Sequence, residues 1–232
     1  MKKGNFFTRH KILTVFLVLI VLGIIGSAIG NNDDTTKKAE KPATTKAPTS
    51  VKDKKEDKPT VTPEPEVKTY SNGTYLVNED IQSGMYKATL TDTLTKTGYI
   101  ERSSDVNMEL DSIIANIILT GDGYVEIKDT DVAVKLQGVK IQPINLKDLK
   151  PNIKKEASDG IYLIGYDLAP GTYKVEVTDK TTGMGYVERA KSVAMGMDDI
   201  IANEIIQGNG YVKIEKSDFA VRLQGVKITL KK

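Results

Sequence analysis

The sequence contains no cysteine, no tryptophan and a single histidine, His10. The lack of cysteine excludes disulfides, thiolate metal sites and thiol nucleophiles, and it excludes the lipidated cysteine of a bacterial lipoprotein. Beyond His10 the sequence can form no Ser-His or Cys-His pair and no histidine-ligated metal site. The composition therefore predicts a protein that is not an enzyme, with no catalytic residue, no cofactor and no bound metal.

An excess of charge of one sign is also lacking. The chain has 33 basic and 31 acidic residues, and its formal net charge is +2. Proteins that bind nucleic acids normally concentrate basic residues on one surface. The near-neutral balance predicts no nucleic-acid partner.

One long hydrophobic run is present, at residues 12–30, and it contains no charged residue. A helix of this length rises ~1.5 Å per residue and spans roughly 28 Å, which matches the hydrocarbon core of a bilayer. Basic residues precede the run and Asn31-Asn32-Asp33-Asp34 follows it. Because positive flanks stay in the cytoplasm, residues 1–11 are predicted to be a cytoplasmic flank and residues 12–30 a transmembrane signal anchor in the lipid bilayer. The rest of the chain is then extracytoplasmic.

A second interpretation of this run stays open. Small residues at Gly26, Ala28 and Gly30 fit a signal-peptidase site. Cleavage near residues 28–30 would release a secreted protein instead of a single-pass membrane protein.

The next segment, residues 31–69, is rich in Lys, Thr, Pro, Asp and Glu, and Val51, Val61 and Val67 are its only large aliphatic residues. So little apolar surface cannot offset the entropy of ordering the chain. We predict a disordered stalk that holds the following domains away from the membrane.

The remainder of the chain contains an internal repeat. Residues 73–142 align with residues 160–229 at a constant offset of 87, without gaps and with 36 identities in 70 positions. A match of this kind indicates a duplicated structural unit, long enough to be a small domain. We name the two units repeat 1 (residues 70–142) and repeat 2 (residues 160–232), and we interpret the polar segment 143–159 as an inter-domain linker.

Within each repeat the hydrophobic residues recur with a period of two, as in Tyr173, Val175 and Val177. This alternation is typical of strands with one buried face and one solvated face. Even the segment 198–206 favours a strand over a helix because of its β-branched residues. The predicted fold class is all-β, with two tandem β-sandwich or jelly-roll-like domains of six or seven strands each.

Both repeats carry the pattern G-x-Y-x-[VI]-x-x-D-[IL]-x-x-G-x-Y, which begins at Gly73 and Gly160. This pattern resembles uncharacterised β-sandwich repeat modules of secreted or membrane-anchored proteins from Gram-positive-type bacteria. The resemblance covers both repeats and consists mostly of turn and core residues. It implies a fold and a location outside the cytoplasm, and it implies no catalytic activity.

Acids at matching positions are the remaining candidates for catalysis, and turn capping explains them equally well. They are Asp80 and Asp167, Asp92 and Asp179, Glu101 and Glu188, Asp111 and Asp198, and Asp131 and Asp218. A calcium site at Asp122, Asp129 and Asp131 is a further alternative, although the spacing is not that of an EF-hand.

The sequence GYIER of repeat 1 and its partner GYVER of repeat 2 supply the candidate contact residues. These are Tyr99, Glu101 and Arg102 in repeat 1, and Tyr186, Glu188 and Arg189 in repeat 2. On a strand, Tyr99 and Glu101 share one face, whereas Ile100 and Arg102 share the other. Tyr and Arg make good contacts with partners when they reach solvent. An internal cross-strand pair, or a buried Tyr with a hydrogen-bond partner, is the alternative.

These observations predict a non-catalytic extracytoplasmic binding module that contacts a cell-wall polymer or a surface protein. Duplication would raise its apparent affinity if both copies bind. A structural or assembly subunit of an envelope complex is the alternative, and an enzyme that acts on glycans through carboxylates is a remote one. The sequence does not determine the oligomeric state.

The mass of the mature protein tests the predicted anchor. If residues 12–30 remain in the membrane, mass spectrometry recovers a chain that still contains them. A first residue near Ile29 or Asn31 would show that the segment is a cleaved signal peptide.

Overall fold

The computed structural model describes residues 68–231. The predicted cytoplasmic flank, the predicted anchor at 12–30 and residues 31–67 of the predicted stalk lie outside this range. Between residues 68 and 231, no helix has the length and apolar character needed to cross a membrane.

Repeat 1 consists of seven β-strands and a short 3-10 helix at Leu110–Ser112. The strands are β1 (Gly73–Leu76), β2 (Gly84–Leu90), β3 (Gly98–Ser103), β4 (Ile113–Leu119), β5 (Gly123–Ile127), β6 (Ala133–Gln137) and β7 (Val139–Pro143).

Repeat 2 has the same elements in the same order, with its 3-10 helix at Met197–Asp199. Its strands are β9 (Gly160–Leu163), β10 (Gly171–Val177), β11 (Met184–Ala190), β12 (Ile200–Gln207), β13 (Asn209–Ile214), β14 (Ala220–Gln224) and β15 (Val226–Leu230). A two-residue strand, β8 (Glu156–Ala157), precedes them. The predicted strand at 198–206 is thus confirmed from residue 200 onward by β12, whereas residues 198 and 199 belong to the 3-10 helix.

Each repeat folds into two antiparallel sheets. In repeat 1 the strand orders are β1-β6-β3-β4 and β5-β2-β7, and in repeat 2 they are β9-β14-β11-β12 and β13-β10-β15-β8. The bridge between Tyr70 and Ile141 in repeat 1 occupies the place of the pairing between Ala157 and Ile228 in repeat 2. The all-β class and the two domain repeats predicted from the sequence are therefore confirmed.

Alternating residues of the strands fill the space between the two sheets of each repeat. In repeat 1, Tyr86, Ile100, Leu136 and Ile141 are almost wholly buried. Each large apolar side chain removed from water in this way contributes about 1.5–3 kcal/mol to stability. The period-two pattern of the sequence therefore corresponds to the core of a β-sandwich.

The two sheets of repeat 1 lie close together beside Gly98 of β3. A Cβ atom at this position would lie 2.1 Å from Cγ1 of Val139 on β7, and a Cβ at Gly185 would lie 2.1 Å from Cγ1 of Val226. No side chain fits at such distances, so glycine at the start of GYIER and GYVER is required by the packing of one sheet on the other.

The segment 143–159 is partly built into repeat 2. Its residues 156 and 157 form β8, which pairs with β15. In addition, the amide of Asn152 donates to the carbonyl of Tyr166 at 2.7 Å, and the amide of Lys154 donates to the carbonyl of Asp167 at 2.8 Å. This connection is therefore held against the domain that follows it.

The two repeats belong to one compact unit and share part of a hydrophobic core. Four buried residues of repeat 2 pack within the core cluster of repeat 1, namely Ile161, Leu163, Val193 and Ala220. The contact is head-to-tail, because different parts of the two repeats meet. We call the part contributed by repeat 1 its receiving edge (β4, β5 and the turn between them) and the part contributed by repeat 2 its docking face (β9, residues 191–196, Asp167, Phe219 and Arg222).

Backbone hydrogen bonds join these two surfaces. The amide of Glu126 on β5 donates to the carbonyl of Val193 at 3.0 Å, and the amide of Ile161 on β9 donates to the carbonyl of Asp122 at 3.1 Å. Because β4 and β5 are edge strands of their sheets, their outer backbone groups need such partners once they are buried.

Side chains add further polar contacts across the same interface. The guanidinium of Arg102 donates to the carbonyl of Ala194, and Nη2 of Arg222 donates to the carbonyl of Ile118 at 3.2 Å. The hydroxyl of Tyr124 donates to Oδ1 of Asp167 at 3.4 Å. Burial and the nearby Asp167 carboxylate raise the pKa of Tyr124 to about 12.

The interface also depends on the small size of Gly121 and Gly123. A Cβ at Gly121 would lie 2.0 Å from the carbonyl oxygen of Asp159, and one at Gly123 would lie 2.7 Å from Cβ of Ile161. Repeat 2 can therefore dock only because the receiving edge has no side chains at these two positions.

The raised pKa of Tyr124 predicts how stability falls at high pH. An unfolded tyrosine ionises near pH 10, whereas Tyr124 keeps its proton in the folded protein to about pH 12. The folded state thus binds more protons in this interval, so its contribution is complete below pH 10 and is lost as the pH rises through 12. Urea unfolding at pH 9 to 12 should show a shallower decline for Tyr124→Phe than for the unchanged protein. Identical declines would contradict the assignment.

Candidate functional site

The predicted contact residues of repeat 1 lie on β3, and the structure places Tyr99 and Glu101 on one face of that strand. The hydroxyl of Tyr99 donates a hydrogen bond to Oε2 of Glu101. Burial, and then the Glu101 carboxylate, raises the pKa of Tyr99 well above its usual range. The phenol therefore remains a hydrogen-bond donor at neutral pH, and the pair is internal, since Glu101 is only 4% exposed.

The matching residues of repeat 2 make the same pair on β11. Tyr186 donates to Glu188 and accepts a bond from Nδ2 of Asn203 at 3.2 Å. The guanidinium of Arg222 lies 5.5 Å from the centre of the Tyr186 ring. Burial, followed by the charge of Glu188, raises the pKa of Tyr186.

The arginines of the two motifs point to the other face of their strands. Arg102 binds Asp131 through Nε at 2.6 Å and Nη2 at 2.7 Å. Arg189 binds Asp218 in the same bidentate manner, at 2.6 and 2.8 Å. The environments differ, because the side chain of Arg102 is 2% exposed and that of Arg189 is 20% exposed.

The two motifs are therefore mainly internal, and their contact with a ligand stays a prediction. One atom stands out, since Oε1 of Glu101 is buried and has no hydrogen-bond partner within residues 68–231. The arrangement agrees with the alternative of a buried tyrosine that finds a polar partner.

Several of the shared acids cap turns. Asp80 accepts from the amide of Leu76 at 2.9 Å and Asp167 from that of Leu163 at 2.9 Å, which explains the aspartate of the G-x-Y-x-[VI]-x-x-D pattern. Asp92 accepts from the amides of Leu94 and Thr95, and Asp179 caps the matching turn of repeat 2. Turn geometry thus accounts for these carboxylates.

The three acids of the alternative calcium site do not converge. Asp122 accepts from the amide of Leu90 at 3.0 Å, and Asp131 is engaged by Arg102 and by the amide of Lys128. Over the described range 68–231, no three His, Cys, Asp or Glu residues are grouped as a metal site would require.

The surface that the sequence did not reveal is the receiving edge of repeat 2, formed by β12, β13 and the turn between them. It matches β4 and β5 of repeat 1, yet no repeat docks on it within residues 68–231; the ammonium of Lys231 lies 5.3 Å from the centre of the Tyr211 ring. Tyr124 is 7% exposed, whereas its counterpart Tyr211 is 61% exposed. Ile205 of β12 is 40% exposed, whereas its counterpart Ile118 is half-buried. Ile201 is 46% exposed, and its counterpart Ile114 is similarly exposed at 43%. The edge therefore presents apolar side chains together with the outer backbone groups of two edge strands.

Repeat 2 keeps the features that allow docking in repeat 1. Gly208 and Gly210 stand where Gly121 and Gly123 stand, and a Cβ at Gly208 would meet nothing within 4 Å. Gly208 has a φ of +81°, which by itself favours glycine, whereas Gly121 has no positive φ. Among the described residues, Nη1 of Arg189 has no acceptor, whereas Nη1 of Arg102 binds Ala194. The space beside Gly208 and the donor group of Arg189 are both present, and no residue among 68–231 fills the space or accepts the hydrogen bond.

A signal for this site exists in the sequence, at two edge-strand positions where the repeats differ in polarity or in the sign of the charge. Ile117 of β4 is replaced by Glu204, and Glu126 of β5 is replaced by Lys213. Such replacements are expected where a buried contact in one copy is solvated in the other. They can be interpreted only once the location of the edge strands is known.

The chain belongs to the Rv1352-like extracellular domain family, which it matches twice, over residues 67–140 and 154–226. The two matches coincide with the two sandwiches and confirm an extracellular repeat module. No curated protein matches the chain. No solved structure matches it either.

The two ion pairs provide a matched prediction. Removal of Asp131 leaves the Arg102 charge buried without a carboxylate, which typically costs about 3–5 kcal/mol of unfolding free energy. Asp218→Ala should cost less, because Arg189 can reach water. Both aspartates also cap one turn amide at 2.8 Å, so the difference between the variants isolates the buried charge. Urea unfolding of Asp131→Ala and Asp218→Ala measures it, and equal losses would contradict this explanation.

Proposed function

We propose that this chain is a non-catalytic extracytoplasmic module that binds a surface protein through the receiving edge of repeat 2. The observation that carries the proposal is the exposure of this edge, whose counterpart in repeat 1 is buried by a polypeptide. The same set of strands therefore already binds protein once within the chain.

The chemistry of the edge favours a protein partner over a wall polymer. Unpaired amides and carbonyls of an edge strand are completed by another polypeptide backbone, as in strand addition. Carbohydrate sites usually rely on aromatic platforms, and Tyr211 is the one aromatic residue among the large exposed hydrophobics of residues 68–231.

The duplication acts differently from simple multivalency in this proposal. Because repeat 2 covers the receiving edge of repeat 1, the described chain offers one free receiving edge and not two. Repeat 1 then serves as the base on which repeat 2 is held. The predicted anchor at residues 12–30 would fix this assembly at the membrane.

A photo-crosslinking amino acid in place of Tyr211 tests the proposal in cells that produce the full chain. We expect covalent adducts with protein at this position, because Tyr211 projects from the free edge. The matched control is Leu94, which is 91% exposed and lies in the β2–β3 loop, away from the edge. Equal labelling at both positions, or none at Tyr211, would contradict a protein-binding edge. Retention on isolated wall polymer that Tyr211→Ser abolishes would indicate a polymer ligand instead.

A further inference from the structure

Resting on the proposed function, we infer that the partner at the receiving edge of repeat 2 is the docking face of repeat 1 in a second copy of this chain. Repeat 1 has its own docking face, defined by the same offset of 87. It consists of β1, residues 104–109, Asp80, Val132 and Lys135.

The docking face of repeat 1 is uncovered within the described chain and is partly apolar. Val106 is 52% exposed, whereas its counterpart Val193 is 4% exposed against repeat 1. Val132 is 41% exposed and corresponds to Phe219, which packs against the shared core. The two uncovered surfaces are thus the matching halves of a contact that the structure already contains.

The polar contacts of the internal interface can be repeated between chains. The internal interface has a hydrogen bond from the amide of Glu126 to the carbonyl of Val193. Between two copies, the amide of Lys213 would donate to the carbonyl of Val106 in the same way, and a backbone bond of this kind needs no particular side chains. Nη1 of Arg189 would gain the carbonyl of Asn107 as its acceptor. The hydroxyl of Tyr211 would donate to Asp80, as the hydroxyl of Tyr124 donates to Asp167 in the internal interface. This is possible because the aspartate is present in both repeats.

One charge change between the repeats favours the second interface. Glu126 is replaced by Lys213 on the receiving edge, and Ser192, next to Val193, is replaced by Asp105 on the docking face. A second copy would therefore bring Lys213, whose ammonium lies 2.8 Å from Glu215 of its own chain, to the segment that contains Asp105. In the internal interface the backbone of Glu126 meets the segment that contains Ser192. Complementary charges of this kind select the partner and its orientation.

The contact between copies should be weaker than the internal one. Ile117 and Ile161 of the internal interface correspond to Glu204 and Thr74, so less apolar surface is removed from water. The carboxylate of Glu204 would also lose water at the position where Ile117 is buried, which costs free energy. We therefore expect reversible assembly. Because the contact is heterologous, a pair of copies still has one free edge and one free face, which produces rows or rings rather than closed dimers.

Disulfide crosslinking tests this inference, because the natural chain has no cysteine. Purified full-length Val106→Cys chains are mixed with Lys213→Cys chains that carry a different tag, and the mixture is oxidised. We expect a mixed dimer, with at least several-fold less dimer from either variant alone. Both positions are exposed, so neither change disturbs the core.

Two further variants sharpen the result. A chain with both substitutions should give a ladder of oligomers, since each copy has both surfaces. Glu126→Cys with Val193→Cys should form a disulfide within one chain, because the amide and carbonyl of these residues already lie 3.0 Å apart. A ladder that stops at the dimer, or single variants that crosslink as well as the mixture, would overturn the head-to-tail contact.

Sedimentation of the cysteine-free chain provides an independent measurement. The average mass should rise with concentration, and Val106→Glu should reduce the rise while the control Leu94→Glu does not. A chain that stays monomeric at every concentration overturns the inference. Photo-adducts at Tyr211 with a protein other than this chain would overturn it too, yet they would leave the protein-binding function intact. The absence of any adduct at Tyr211 would contradict both the self-association and the protein-binding function.

Discussion

The docking of repeat 2 onto the receiving edge of repeat 1 is the contact on which the architecture depends. Edge strands expose backbone groups that are costly to bury without partners, and repeat 2 supplies those partners through Val193 and Ile161. Gly121 and Gly123 permit the approach, and Tyr124 and Arg102 complete it with polar bonds. Two sequences that are half identical thereby occupy unequal environments.

This inequality explains where the two repeats have diverged. Buried residues between the sheets stay apolar in both copies, although some change size, as in Ala88 and Val175, because each sandwich needs an apolar core. The receiving edge of repeat 1 keeps Ile117 in a buried position, whereas repeat 2 has Glu204 on the exposed side of its open strand. Burial in the folded protein, rather than the common origin of the two repeats, determines which positions stay apolar.

Much of the fold could be predicted from the sequence, but the candidate site could not. Alternating residues such as Tyr173 and Val175 define strands locally, and the constant offset defines the two repeats. The sequence also assigned Arg102 to the face shared with Ile100, yet its buried partner Asp131 lies 29 residues away and no local pattern connects them. The receiving edge could not be predicted for a related reason. The two repeats have matching sequences, and these do not show which repeat covers the edge strands of the other.

Head-to-tail packing also has a consequence for how such proteins can grow in length. A unit inserted after repeat 2 would meet the same strands that repeat 2 meets on repeat 1, so a longer array needs no new kind of joint. In that respect the domain resembles the stacked units of solenoid proteins, although each unit here has its own core. However many units are joined in a row, one unmatched surface of each kind remains at the two extremities.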